Sequence, residues 1–318
     1  MAQKGGSFEW RVPAELEENL STTAREISVS KVISQGGVRA GAILQGAVLP
    51  EVLHDVIKMS QESFKTPKFK GVGVELGAGL GILGIVASES PQVEAMVSVE
   101  ICRTFVTDGI PAAAKELLGE NSNKIIPTYG SFEEFEIAND EIDFAVQIES
   151  LHHSYDLKKA AEELFRILKP GGFLYCIDRS HPDSVDDQTL KGLLDHQYTK
   201  TWLEYHGYPS DKPMSRRENG EHEIRDSEWK RTFESAGFIT ETFKFIAPKL
   251  ELWNVKKRMA WLVLRWTPLG KRIKIPARSG VIRGYILQNL GIRKSVFGSI
   301  VIGLQPRWET IMVFRKPL

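Results

Sequence analysis

The sequence predicts an α/β chain wound on both faces of a mostly parallel sheet, and three observations predict it. Apolar runs of strand length recur between segments with helical spacing, the alternation that builds βα units. Ile142 to Ser150 (IDFAVQIES) is apolar at successive positions, as a central strand covered on both faces must be. Gly71 to Gly84 (GVGVELGAGLGILG) joins an apolar run to a helix-forming one through clustered glycines. Such a turn lets a nucleotide-like ligand approach the N–H groups that open a helix.

In that stretch Val72 and Val74 belong to the strand, and Ile82, Leu83, Ile85 and Val86 to the helix. Gly79, Gly81 and Gly84 fit the GxGxxG dinucleotide fingerprint, with Glu100 at the spacing of a ribose-binding acid, about 20 residues on. A nicotinamide cofactor is therefore one reading. Glu75, two residues before Gly77, gives ELGAGLG the form acid-x-Gly-x-Gly-x-Gly. With that acid the chain resembles the class I S-adenosylmethionine-dependent methyltransferases, with a type 11-like core.

The elements that follow extend the resemblance. Ala95 to Ile101 (AMVSVEI) reads as a second strand ending in Glu100, whose carboxylate can accept from two ribose hydroxyls. Lys124 to Gly130 (KIIPTYG) reads as a third, and Pro127 within it predicts an edge position. After Ile142 to Ser150 comes LHHSYD, where Asp156 can cap a helix carrying Leu157, Ala160, Ala161, Leu164, Ile167 and Leu168. Lys169 to Gly172 is predicted to stop that helix, and Phe173 to Asp178 forms the next strand. The passage from ESLHHSYD through ELFRILKPGGFLYCID is similar to the fourth-strand, helix and fifth-strand region of the family. A polar insertion and a short helix from Asp226 or Ser227 to Gly237 precede a strand at Phe238 to Ile246, and Glu309 to Arg315 forms the last strand.

The resemblance implies a Rossmann-like, seven-stranded, mostly parallel sheet whose antiparallel last strand pairs with the sixth. It covers roughly residues 70 to 250 plus the last strand. That divides the chain into a helical N-terminal extension (1–70), a core (71–250 and 309–318) and an insertion (251–308). In the extension, Leu16, Leu20, Ile27, Val32 and Ile33 suggest one helical region, and Val52, Leu53, Val56, Ile57 and Met59 another. The glycine-rich SQGGVRAGAILQG lies between them. The extension is either a lid over the cofactor or a structural cap on the sheet.

The cofactor implied is S-adenosyl-L-methionine. Carried onto this chain, its contacts would come from Glu75, Gly77, Ala78, Gly79 and Gly81, from Glu100 and Ile101, from Ser131 and Phe132, and from Ile148 and Glu149. Ser131 stands where the family has an acid for the adenine amino group, which leaves that contact open. Methyl transfer from a sulfonium needs mainly positioning. A hydroxyl acceptor must also lose a proton, and His152 and His153 follow the fourth strand where ligands of such sheets bind. At most one of them faces the methyl group, and His153 is the preferred base. His181, His222 and Glu223 are candidate acceptor contacts at the same edge. Asp178 with Glu221, His222 and Glu223 could hold a divalent ion, but no close ligand spacing such as HxxxH occurs, so no metal is expected.

Composition bounds the rest. The 318 residues are 42% hydrophobic, enough for one elaborated domain or one domain plus an insertion, and the two cysteines, Cys102 and Cys176, read as small buried residues. No signal core or run of about 18 apolar residues occurs, so a cytoplasmic chain without a membrane span is expected. Residues 252 to 308 hold twelve bases and no acid in a chain of zero net charge, a basic module on an acidic body. There Trp253, Trp261 and Trp266 are interleaved with aliphatic residues and with Lys256, Lys257, Arg258 and Arg265. That composition suits an anionic membrane surface, a groove for a lipid tail or diphosphate, or an internally packed helical subdomain, and no nucleic acid is expected. The expected activity is O-methylation of a small or lipid-linked acceptor, a glycan or glycolipid. The alternatives are C-methylation of a quinone-like ring and a scaffold that keeps the fold without transfer.

Overall fold

The computed structural model describes residues 2–4, 7–17, 26, 50–206, 208–246 and 308–318. A short hairpin, β1 (Ala2–Lys4) and β2 (Ser7–Glu9), precedes a helical turn, α1 (Ala14–Glu17). Helix α2 (Pro50–Ser63) leads to β3 (Gly71–Leu76), α3 (Ile82–Ser88) and β4 (Val93–Glu100), then to α4 (Ile110–Leu118) and β5 (Ile125–Tyr129). Next come β6 (Ile142–Ile148), α5 (Leu157–Ile167) and β7 (Leu168–Ser180). Helices α6 (Asp187–Leu194), α7 (Lys200–His206) and α8 (Asp226–Ser235) precede β8 (Ile239–Ile246) and β9 (Trp308–Arg315).

The strands form one sheet in the order β1-β2-β5-β4-β3-β6-β7-β9-β8. From β5 to β7 all neighbours are parallel, and β9 runs antiparallel between β7 and β8. The pairing of β8 with β9 agrees with the expectation. The chain leaves β3 on one side toward β4 and returns on the other at β6, so a crevice opens at the carboxyl ends of these strands.

Alternation along the strands divides the core between the two faces. Phe144, Val146, Phe173, Tyr175, Ile177, Ile311 and Val313 pack with α2, α3 and α4. Val74, Leu76, Ala145, Leu174, Cys176, Met312 and Phe314 pack with α5 and α8. Every residue of α3 is buried, which explains why it is apolar all round. Helix α5 buries Ala160, Ala161, Leu164 and Ile167 in the core, with Leu157 and Phe165 packed partly buried against it, and its start is capped by Asp156, which accepts from the Lys159 N–H at 3.1 Å. Cys102 and Cys176 are buried and free.

Three expectations need correction. The first residues are not helical but form the β1–β2 hairpin, so the sheet has nine strands rather than seven. Its anchor is Trp10, 3% exposed, whose backbone N–H donates to the Tyr129 carbonyl and whose ring meets Phe135 edge-on. Consequently β5 is not an edge strand. Pro127 is tolerated because β2 pairs only with Thr128 and Tyr129, so its missing N–H falls outside that ladder. Finally, LKPGG is not a turn ahead of the strand but a bulge inside it, since the register jumps from Ile142↔Leu168 to Phe144↔Phe173.

The predicted region around Leu20, Ile27, Val32 and Ile33, the stretch SQGGVRAGAILQG and the basic segment from 251 to 307 lie outside the described residues. Among the described residues no helix is long and apolar enough to cross a membrane.

Candidate active site

The turn after β3 is built by glycines at positive φ. Gly77, at φ 57°, presses against the next strand's end, where an added Cβ would lie 2.6 Å from the Ser150 Cβ. Gly79, at φ 55°, is the opposite case, with nothing within 4 Å of an added Cβ. The loop therefore packs tightly on one side and leaves open space on the other. Gly81, the residue before α3, closes the turn by donating its N–H to Ala78.

Two acids shape this cradle in different ways. Glu75 points into the protein, where one oxygen accepts from the Gly84 N–H at 2.9 Å and the other from the Ser98 hydroxyl at 3.0 Å. Burial pushes its carboxyl up to about 7. It braces the loop from beneath, tying the first turn of α3 to β4. Glu100 ends β4 and accepts from the N–H groups of Gly79 at 2.7 Å, Ile101 at 2.8 Å and Cys102 at 2.9 Å. Its carboxylate is thereby fixed beside the open face of Gly79. Ala78 and Ile101 are partly buried against the core, as is Ile148 at the end of β6. Beyond β5, the Ser131 hydroxyl accepts from the Glu133 N–H at 3.1 Å, and the Phe132 ring lies 3.5 Å from where a Gly77 Cβ would stand. Sheet order brings all these predicted cofactor residues to one edge.

The ends of β6 and β7 carry an ion network that sequence reading did not assemble. His152 is fully buried and its Nδ1 lies 2.6 Å from Asp178 Oδ1. Its Nε2 lies 2.7 Å from Nη2 of Arg179. A guanidinium only donates, so Nε2 accepts and the ring proton sits on Nδ1, toward the aspartate. Arg179 also reaches Glu221 at 2.6 Å and Glu149 at 3.1 Å. Arg216 joins Glu221 at 2.6 Å and also bonds Glu223, and Glu223 bonds His181. Tyr198 donates to Glu221.

Burial raises the Asp178 carboxyl to about 6 and that of Glu149 to about 7, against the opposing pull of Arg179. Burial acts the same way on Glu221, but Arg179 and Arg216 together outweigh it and hold that carboxyl well below the usual range. Glu149, His152 and Asp178 offer ligand atoms within 4.8 Å of one another. The cation among them is Arg179.

These contacts revise the histidine assignments. His152 is enclosed, with both ring nitrogens engaged within the protein. His153 is only partly buried, with Nδ1 3.0 Å from the Gly220 carbonyl and its ring 4.1 Å from that of His152. The His181 and Glu223 side chains are fully enclosed and bond each other, though Glu223 also belongs to the lining of the cleft that His222 faces. His222 alone of the three candidate acceptor contacts is exposed. It lines a cleft of about 410 Å³ with Leu151, Ser154, Tyr155, Ile224 and Arg231. The residues missed were Arg179, Arg216 and Tyr198. The mixed charges of SRRENGEHEIRD were the available signal for Arg216, while nothing local marked the other two.

Residues 74–176 match the methyltransferase-domain family. No curated protein matches the sequence. Among solved structures, a candidate sarcosine dimethylglycine methyltransferase from Galdieria sulphuraria is 18% identical at a TM-score of 0.52, covering 90% of each chain. Phosphoethanolamine N-methyltransferase 2 from Haemonchus contortus, in complex with S-adenosyl-L-methionine, is 13% identical at a TM-score of 0.52, covering 83% of this chain and 53% of that one. The [4+2]-cyclase SpnF is 11% identical at a TM-score of 0.54, covering 97% of this chain and 100% of that one. At these identities the likeness is one of fold. The open face at Gly79 and the fixed Glu100 carboxylate suit an adenosyl cofactor. With the domain match over residues 74–176, they mark that stretch as a methyltransferase domain whose cofactor is S-adenosyl-L-methionine.

Proposed function

We propose that the chain transfers a methyl group to a hydroxyl of a small or lipid-linked acceptor, with a glycan or glycolipid favoured. The observation that carries this reading is the polar character of the edge beyond the cofactor loop, where Glu149 and His153 follow β6 and His222, from the segment before α8, docks on the His152 carbonyl. A greasy ring destined for C-methylation would want an apolar wall there, whereas a hydroxyl needs partners for its proton. When bound, S-adenosylmethionine supplies an electrophilic methyl on a sulfonium whose departure leaves a neutral thioether. Glu100 would hold the ribose, the loop from Gly77 to Gly81 would admit the cofactor, and Ala78, Ile101, Ser131, Phe132 and Ile148 would flank its adenosyl part. The basic, tryptophan-containing stretch from 252 to 308 supports a lipid-linked acceptor met at the cytoplasmic face of an anionic membrane.

The experiment is incubation with S-adenosylmethionine carrying a ¹³C methyl, together with aqueous and organic cell extracts, followed by NMR of the products. An O-methyl resonance in the organic fraction is expected. Label appearing on carbon or nitrogen alone would overturn the hydroxyl reading, and an O-methyl product confined to the aqueous fraction would remove the lipid.

The cradle has its own test. Gly79→Val is expected to cost only about 1–2 kcal/mol of folding stability, because the strain is that of a side chain at positive φ with no clash. It should nevertheless abolish S-adenosylmethionine binding by calorimetry, since the valine fills the open face. Retained affinity would place the cofactor elsewhere.

A further inference from the structure

We infer that Glu149 is the base that takes the proton from the acceptor hydroxyl, the role first expected of the neighbouring histidines; this rests on the hydroxyl reading above. Its backbone is the first sign. Glu149 has φ 50°, a left-handed conformation shared among the described non-glycine residues only by Lys65 and Asp140. Those two are exposed and lie away from this edge of the sheet, whereas Glu149 ends β6, held by its N–H to the Ile177 carbonyl. Strain of this kind, about 1–3 kcal/mol, persists where surrounding structure imposes it and gathers at active sites.

Placement is the second sign. The next residue, Ser150, donates its hydroxyl to Leu76 at 2.8 Å and packs on Gly77, so Glu149 stands where the cofactor loop meets the acceptor edge. The side chain is the third. One oxygen, Oε2, is 3.1 Å from Arg179, and Oε1 has no hydrogen-bond partner among the described residues. The side chain is 36% exposed, so Oε1 has a route to solvent.

The charged groups facing Glu149 are Arg179, Asp178 and Glu221. Burial and the two acids favour the neutral carboxyl against the guanidinium, bringing its midpoint to about 7, where a base both accepts and releases a proton readily. In the transfer, the acceptor O–H bond breaks and its oxygen bonds the methyl carbon. The methyl–sulfur bond breaks with its electron pair left on sulfur, and the proton passes to Oε1 and then to water. His152 stands behind, and its hydrogen bond to Arg179 makes it a positioning residue for the glutamate.

The test compares the full chain with Glu149→Gln, which is nearly isosteric, and Glu149→Asn, which suits the left-handed backbone and guards against a folding defect. Both should bind S-adenosylmethionine within about threefold of the native chain by calorimetry. ¹³C-methyl transfer into the extracts should fall at least about 100-fold, in kcat rather than KM. The native rate should rise with pH around a midpoint near 7, and that limb should vanish in both variants. In chains carrying ¹³C-carboxyl glutamate, the resonance missing from Glu149→Gln should titrate near neutrality; a midpoint at the ordinary glutamate value would overturn the assignment. Transfer within tenfold of native in either variant would also overturn it, and its loss in His153→Ala alone would return the role to that histidine. Loss of cofactor affinity in both variants would make Glu149 a cofactor ligand. A native chain that binds S-adenosylmethionine but yields no O-methyl product would sink the hydroxyl reading and this inference with it.

Discussion

An Arg179→Met chain is expected to unfold with about 3–5 kcal/mol less stability than the native one in denaturant at pH 7. Arg179 is 8% exposed and gathers Glu221, Glu149 and His152 around one guanidinium. Removing it leaves Glu221 and Glu223 their bonds to Arg216 but takes the guanidinium away from Glu149 and His152. Burial already raises Asp178 and Glu149 to about 6 and 7 in its presence. A carboxyl raised by folding contributes stability at low pH and loses it as pH climbs through the folded value. Without the guanidinium these values rise further, so the deficit should shrink toward pH 5 and widen toward pH 8. Arg179→Lys should recover only part of the loss, because one ammonium cannot span three partners in a planar fork. A deficit independent of pH would mean that the carboxylates do not depend on Arg179.

Glu100→Ala is expected to weaken S-adenosylmethionine binding about 100-fold or more in calorimetry, with the fold intact. A hydrogen bond to a charged group contributes about 1.5–3 kcal/mol, and two ribose hydroxyls lost together exceed two decades of affinity. The three N–H groups of Gly79, Ile101 and Cys102 would also lose their common acceptor, loosening the loop where the cofactor must fit. Glu100→Gln should fall between, since it keeps one acceptor oxygen and loses the charge. Native affinity in Glu100→Ala would remove Glu100 from the cofactor site.

How far the sequence could be read follows from the range over which each feature is set. The glycine turn, the capped helix at Asp156 and the predominantly apolar strand at Ile142 are local patterns, and the structure repeats them within a residue or two. The hairpin at Ser7–Glu9 was missed because three residues carry no period, and it exists only because β5 offers an unpaired edge and Trp10 a place to dock. The histidine pair illustrates the same limit at the site. HH after a strand marks an edge, but nothing in it says which ring turns inward.

By itself, the sequence determined the α/β class, the strand-turn-helix at Gly71 to Gly84 and the placing of Glu100 at the end of the next strand, because glycine spacing and apolar period act over a few residues. The tertiary structure alone decided which titratable groups at the acceptor edge are enclosed and which are open. His152 meets Asp178 across 26 positions and Arg179 meets Glu221 across 42, so those partners are chosen by sheet order and burial. The same packing leaves the Glu149 side chain partly exposed on a turn at positive φ, with one oxygen bonded to Arg179, a chemical distinction that no local pattern encodes.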